Sequence, residues 1–425
     1  MLIAILVTFL VQVFLGLPLF LALLSSATVG FFFIDPTMIP RMMPQQFYGG
    51  INAFSLMAIP LFILAGNLMN AAGMTDQLMR LARLLVGHLR GGLGHVNVLS
   101  SVFFAGVNGS AVADTSALGP LLVPAMQKEG YDKAFAAGLT AGSSLVGPII
   151  PPSIFMILYA SLTNVSVGAL FLAGVVPGLV IAAAFMTMNA WYARRHQLPR
   201  SGKAPSFNEL TRTILQAIPA LVAPVIIVMG IVMGLVTPTE SGGLIALYVV
   251  VCGVLQRRLR LRAVWTAFTE TARLTSAIFL IMAASATISW QLSYAQVPAQ
   301  LTQFFTPFID SPILVLLMLT LIIFVVGMFM EEVSALMLLT PILMPVAMAA
   351  GIDPIHLGII VTLNITIALI TPPMGACLHV AAAVSRLEIT ELFRAIWPFV
   401  VVALAVVGLL IVFPQLTLWL PGLFS

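Results

Sequence analysis

The sequence predicts an all-α polytopic membrane protein made of two inverted repeats, with about ten transmembrane crossings and two re-entrant helical hairpins. Three observations carry this. Of 425 residues, 61% are hydrophobic and 8% charged, where a soluble chain carries roughly a quarter charged residues. The chain matches itself at an offset of 221 residues, and equivalent loops in the two halves carry opposite Lys and Arg bias.

Mean hydropathy is +1.13, so the bilayer is the solvent, and crossings of about 20 residues each leave no length for a separate soluble domain. The net charge of +4 comes from short basic clusters between apolar runs. Positive-inside topology accounts for them, and no nucleic-acid partner is expected. Cys252 and Cys377 lie in apolar stretches without metal-ligand spacing and read as packing residues. Met1 to Phe14 lacks a basic start and a small-residue cleavage site, so it reads as a retained helix.

The self-match is concentrated at punctuating residues. Gly106 pairs with Gly327, Pro120 with Pro341, Pro124 with Pro345, Gly130 with Gly351, Asp132 with Asp353, and Pro151-Pro152 with Pro372-Pro373; Ser55 pairs with Ser276 upstream. Apolar identities would arise by chance in such a chain, but an ungapped series of Gly, Pro and Asp would not. The repeats divide the chain at 1–212 and 213–425.

Charge gives their orientation. Arg80, Arg83 and Arg90 follow the helix at 52–72, whereas the equivalent stretch 296–313 has neither Lys nor Arg. Lys128 and Lys133 flank the first Gly-Tyr-Asp turn, and the turn at Gly351-Ile352-Asp353 has none. The first copy ends in Arg194, Arg195, Arg200 and Lys203; the second ends without a basic residue. If cytoplasmic loops hold Lys and Arg, equivalent loops lie on opposite sides.

Crossings are then expected near 2–17, 18–34, 52–72, 134–164, 168–192, 214–236, 240–256, 274–293, 355–385 and 396–418, with only Arg41 out of place and both termini periplasmic. Residues 1–34 could also be one long tilted helix. Segments 75–90 and 257–273 alternate Arg with apolar residues and read as amphipathic arms at the cytoplasmic interface.

Stretches 93–126 and 314–349 must enter and leave on one side, as hairpins. Their middles read Gly106-Val107-Asn108-Gly109-Ser110, followed by Asp114 and Thr115, and Gly327-Met328-Phe329-Met330-Glu331-Glu332. Crossings 134–164 and 355–385 are broken by Gly147-Pro148-Ile149-Ile150-Pro151-Pro152-Ser153 and Thr371-Pro372-Pro373-Met374-Gly375. Consecutive prolines split a helix, and irregular backbone at membrane depth requires protein or a water-filled cavity around it. Freed carbonyls and half-helix ends in matched halves are how secondary transporters bind hard cations and anionic substrates. Gly and Pro also serve ordinary close packing in membrane helices.

At these residues the chain resembles the large membrane subunit of tripartite ATP-independent periplasmic (TRAP) transporters, along essentially its whole length. The motifs are Gly109-Ser110-Ala111-Val112-Ala113-Asp114 with Ala117-Leu118-Gly119, Pro124-Ala125-Met126 with Gly130-Tyr131, Ile150-Pro151-Pro152-Ser153, Thr237-Pro238-Thr239-Glu240, and Gly351 to Gly358. The family often has Ser-Gly-Ser at the first tip, where this chain has Asn108-Gly109-Ser110. The resemblance implies a sodium-driven organic-acid importer of a bacterial inner membrane, taking a carboxylate such as sialic acid or a C4-dicarboxylate. It further implies a small four-helix membrane subunit, a periplasmic substrate-binding protein, and an elevator motion of a transport domain against a scaffold.

Substrate contacts are expected at Asn108, Ser110, Asp114, Thr115 and Ser153. Sodium ligands are expected at Gly109, Ser110, Gly147 and Pro151 in the first copy, and around Gly327, Asn364, Thr371 and Gly375 in the second. No catalytic residue, cofactor or resident metal is expected, sodium being the coupling ion. Ser110, Thr115 and Ser153 could instead bond back to their own helices, and Asp114 could be a capping acid. Glu331 and Glu332 could line the second site or face the periplasmic entrance in water. Glu240 reads as a helix-start acid and His379 as a packed histidine. A stand-alone sodium/dicarboxylate symporter of related fold is the main alternative, and an intramembrane enzyme using Asp114 and Glu331 lacks any accompanying His-Glu-x-x-His or Ser/His constellation.

Overall fold

The computed structural model describes residues 1–200 and 205–424, without the side chains of Val107 and Asn108. Lys203 and the Asn108 side chain therefore lie outside the described residues. The described elements are helical, with one isolated bridge between Arg90 and Arg200.

Two helices, α1 (Leu2–Phe14) and α2 (Leu19–Ile34), resolve the 1–34 ambiguity: Gly16, at φ +78°, and Pro18 separate them. An amphipathic helix not foreseen, α3 (Ile39–Gly49), follows and carries Arg41, so that residue lies off the crossings. Next come α4 (Ala58–Ala71), entered through a 3-10 turn at Phe54–Met57, and α5 (Met74–Val86). The expected arm at 75–90 is this α5. It buries Met74, Leu78, Leu81 and Ala82 and packs on neighbouring helices instead of lying free at the interface.

The first hairpin is α6 (Gly92–Asn108) and α7 (Ala111–Lys128), which pack on each other. The first broken helix is α8 (Lys133–Ser143), a 3-10 turn at Ser144–Val146, and α9 (Ile154–Thr163). The long α10 (Val167–Arg195) closes the first copy.

The second copy begins with α11 (Phe207–Val232) and α12 (Pro238–Leu255), each opened by a capping box: Ser206 with Glu209, and Thr237 with Glu240. Glu240 is thus a helix-start acid, accepting from the Thr237 N–H at 2.8 Å. Then α13 (Leu261–Tyr294) runs 34 residues without interruption. The separate arm at 257–273 and crossing at 274–293 are corrected by this helix. No Gly or Pro interrupts 261–294, whereas Gly49 ends α3 and Gly50 caps it in the first copy.

A short α14 (Val297–Phe305) leads to the second hairpin, α15 (Pro312–Gly327) and α16 (Glu332–Ala349). The second broken helix is α17 (Pro354–Ala368) and α18 (Ala376–Ser385), followed by α19 (Ile389–Val412) and the single turn α20 (Gln415–Leu418).

Adding 221 to α5, α6, α7, α8 and α9 lands on α14, α15, α16, α17 and α18 within two residues at each start. Asp132 caps α8 as Asp353 caps α17, both proline pairs contain cis bonds, and Gly130 and Gly351 both have positive φ. Packing exchanges in the same way. Helix α7 packs on α18 while α16 packs on α9; α8 packs on α19 while α17 packs on α10; α4 packs on α12 while α2 packs on α13. Contacts that return when the copies are swapped are those of a pseudo-two-fold relation.

Seven helices among the described residues are long and apolar enough to cross a membrane, including α10, α11, α12, α13 and α19. Shorter apolar helices, such as α9, α17 and α18, fall below that length. Of the ten expected crossings, two are divided by breaks, α8 with α9 and α17 with α18, and two more, α1 and α2, are shorter than that length, while the hairpin limb α16 is one of the seven. Small residues let the broken helices pack closely: a Cβ on Gly142 of α8 would stand 3.0 Å from the Phe399 ring of α19.

Candidate functional site

In each copy the hairpin tip rests on the proline break of the same copy. Gly109 caps α6 in the left-handed region at φ +57°, and a Cβ there would collide with the Pro152 carbonyl oxygen and stand 3.5 Å from the Ser153 Cα. Beside it, a Cβ on Gly147 would lie 3.5 Å from the Ser110 carbonyl oxygen. Tip residues Gly109 and Ser110 therefore meet break residues Gly147, Pro152 and Ser153. In the second copy the Met374 N–H donates to the Met328 carbonyl at 3.3 Å, and Gly327 packs against Ala368.

The expected ligand residues use their hydroxyls locally. Ser110 caps α7, accepting from the Ala113 N–H at 3.4 Å. Ser153 accepts from the Met156 N–H at 3.3 Å and donates to the Pro148 carbonyl. Thr115 donates to the Ala111 carbonyl at 3.0 Å, and Thr371 to the Ile367 carbonyl at 2.8 Å. The hydroxyls of Ser153, Thr115 and Thr371 thus spend their protons on the backbone, which aims their oxygen lone pairs away from that bond. Asn364 donates to the Ile360 carbonyl at 2.8 Å and to Thr320 at 3.4 Å, leaving its buried Oδ1 without a partner. Gly375 holds the second break closed on itself, its N–H donating to the Thr371 carbonyl at 3.2 Å. Pro151 is buried behind the first tip.

Asp114 is 2% exposed and both its carboxylate oxygens are buried without a hydrogen-bond partner. It lies in the first turn of α7, whose cap is Ser110, so capping is not its role. The Ser101 hydroxyl is its polar neighbour, without a bond of ordinary geometry. Ser101 begins a chain invisible in the sequence: its hydroxyl stands 3.1 Å from that of Ser143, Ser143 donates to Asn97 Oδ1 at 3.4 Å, and Asn97 donates to Thr140 at 2.6 Å. This chain ties α6 to α8. The equivalents of Asn97, Ser101 and Thr140 are Met318, Ile322 and Val361, so the polar chain belongs to the first copy alone.

Cys377, in the first turn of α18, is fully buried with its thiol beside the hydroxyls of Ser144 and Thr115, and within electrostatic reach of Asp114 and Glu332. The thiol therefore marks where the two copies meet. Glu331 is the cap of α16, its Oε2 accepting from the N–H groups of Val333 and Ser334 at 3.0 and 3.1 Å. Glu332 is part-buried, with Oε2 shut off from solvent and unpartnered. His379 is exposed, not packed, with Nδ1 2.9 Å from the Gly375 carbonyl oxygen.

The tips and breaks thus bring together three acids, Asp114, Glu331 and Glu332, several hydroxyls and four half-helix starts, those of α7, α9, α16 and α18. No Lys or Arg lies in either tip or either break. Helix N-termini carry partial positive charge and free N–H groups, which suits an anionic solute where no basic side chain is present.

Comparison with known proteins decides the family. Residues 6–416 match the family described as tripartite ATP-independent periplasmic transporter, DctM component. This chain belongs to that family. The TRAP large permease is 38% identical over 97% of its length to the sialic acid TRAP transporter large permease protein SiaM of Vibrio cholerae, covering 96% of that protein. It is also 38% identical over 95% of its length to the 2,3-diketo-L-gulonate TRAP transporter large permease protein YiaN of Escherichia coli, covering 94% of it. Among solved structures, the YdaH transporter of Alcanivorax borkumensis superposes with a TM-score of 0.67 at 14% identity, covering 89% of this chain and 88% of that one. That likeness is one of fold. The TRAP large permease is a multi-pass membrane transport protein, not an enzyme.

Proposed function

We propose that this permease imports an organic acid across a bacterial inner membrane, driven by sodium and supplied by a periplasmic binding protein, with a small four-helix membrane subunit as its scaffold partner. The observation that carries the reading is the paired seating of hairpin tip on proline break, once in each copy, with α7 on α18 and α16 on α9. Each pairing would offer backbone carbonyls and hydroxyls to a hard cation, from Gly109, Ser110, Gly147 and Pro151 in one and from Gly327, Asn364, Thr371 and Gly375 in the other. Substrate would sit between them, against Asp114, Thr115, Ser110 and Ser153, and Asn108 would complete the first tip. The half-helix N-termini and bound sodium would replace a fixed basic residue in neutralising a carboxylate.

We read the two copies as inverted, 1–212 against 213–425, with both termini periplasmic. The hairpins and broken helices form a transport domain that moves as a lift against the scaffold of α1–α4 and α11–α13. The relatives are named for sialic acid and for 2,3-diketo-L-gulonate, both acids, which supports a carboxylate as the substrate class.

The test is uptake by proteoliposomes holding the permease with its small subunit, binding protein and labelled acid. Uptake is expected only with an inward sodium gradient and with both partners. Uptake by the permease alone would favour a self-sufficient symporter.

A further inference from the structure

The second hairpin carries an acid that neither the fold nor the sodium reading uses. Glu332 is the first residue of α16, and the equivalent first residue of α7 is Ala111, fully buried. The same helix start in the same kind of hairpin is therefore built without a carboxylate. Capping does not explain it either, because Glu331 already accepts the first N–H groups of α16. Glu332 Oε2 is sealed from water and hydrogen-bonds to nothing, so no such bond joins it to Gly327, Asn364, Thr371 or Gly375.

Its surroundings are acidic or neutral. Glu331 adjoins it in sequence, and Cys377 of α18 is within its electrostatic reach and within that of Asp114. His379 of α18 is exposed and turned to the Gly375 carbonyl. Among the elements packed on α16, α14 and α15 have no titratable group. Tyr159 of α9 donates to the Pro354 carbonyl at 2.8 Å, and His356 of α17 stands 2.7 Å from the Thr417 hydroxyl. The titratable groups of α13 are Arg262, Glu270, Arg273 and Tyr294; Arg262, Glu270 and Arg273 lie in its N-terminal half and Tyr294 is its last residue.

A part-buried carboxylate with one oxygen shut off from water and no cation or donor is costly, and an adjacent like charge adds to that cost. Sodium would remove it only with several oxygen ligands, whereas the α18 group within its electrostatic reach is a thiol, a soft ligand that hard cations avoid. A proton needs no ligand shell. We propose that the Glu332 carboxyl is a proton-binding site, neutral while hairpin α15–α16 is seated and exchanging its proton with water during the transport cycle. The cycle itself rests on the transport reading above; the protonation does not.

Infrared spectroscopy of the purified permease in lipid vesicles, at neutral pH and without partners or substrate, tests the protonation. Wild type is expected to show a protonated-carboxyl band that shifts in deuterium oxide, is lost in Glu332→Ala and persists in Asp114→Asn. Ala111 shows that this helix start accepts alanine, and Glu332→Gln provides a second variant should Glu332→Ala fold poorly. Absence of any band that these Glu332 variants remove would overturn the proposal. With the full system, uptake by Glu332→Gln is expected to lose the pH dependence of wild type; an unchanged pH profile would overturn the exchange step. If no uptake is obtained at all, the transport reading fails and the infrared result still stands.

Discussion

Gly109 and Pro152 approach so closely that a single added methyl group on Gly109 would meet the Pro152 carbonyl oxygen. This contact joins the tip of the first hairpin to the break of α8–α9, and it ties the backbone conformation of one to the position of the other. Gly109→Ala introduces both that collision and a side chain at φ +57°. The left-handed conformation alone costs about 1–2 kcal/mol. The expected outcome is a lowered melting temperature in detergent and uptake reduced by more than about tenfold.

Asp114 presents two unpartnered oxygens at the meeting point of α7, α18 and the end of α8. Asp114→Asn keeps the shape and removes the charge, so expression and melting temperature are expected to hold while uptake falls about tenfold or more, the loss of roughly 1.4 kcal/mol from the transport step. Wild-type uptake by this variant would remove Asp114 from the site. Ser101→Ala, which ends the chain from Asn97 and Thr140 at its inner end, is expected to give a smaller defect of the same kind.

Gly375 closes the second break, where a Cβ would stand 2.7 Å from the Leu369 carbonyl oxygen and 2.8 Å from that of Thr371. If those carbonyls face a sodium ion, Gly375→Ala should raise the sodium concentration for half-maximal uptake about tenfold, some 1.4 kcal/mol of affinity. An unchanged sodium dependence would place the ion elsewhere.

At the outer end of the first hairpin, the Tyr131 hydroxyl lies 2.7 Å from the Gly91 carbonyl oxygen and 3.0 Å from Asn189 Oδ1, and it accepts from the Gly94 N–H at 3.2 Å. Tyr131→Phe leaves these buried groups short of a partner, at a cost of about 1–3 kcal/mol. A lower melting temperature with an unchanged sodium dependence is expected, because this lock holds the hairpin base and does not touch either tip.

What the sequence revealed was what local chemistry controls. Gly130 and Gly351, the proline pairs and the capping residues Asp132 and Asp353 fix turns and breaks through their own backbones, so their spacing carried the repeat into view. The chain Asn97, Thr140, Ser143 and Ser101 was hidden, because each residue taken alone resembles a hydroxyl or amide bonding to its own helix, and only packing of α6 on α8 brings them together. Cys377 was read as packing for the same reason. Its neighbours Thr115 and Ser144 lie more than two hundred residues away in the chain. The continuous α13 had a visible signal, the lack of Gly and Pro over 261–294, which the change from charged to apolar composition obscured.

The swapped packing of α7 on α18 and α16 on α9 is that of a two-fold relation between the copies, and the proposal that its axis lies in the membrane plane rests on charge alone. Lys128 and Ala349 are equivalent by the 221-residue offset and both are exposed, so they report that axis directly. With Cys252 and Cys377 replaced by Ala and Ser, Lys128→Cys and Ala349→Cys are treated with a membrane-impermeant thiol reagent from either side. The inverted duplication predicts labelling of position 128 only from the cytoplasm and of position 349 only from the periplasm, and labelling of both from one side would contradict it.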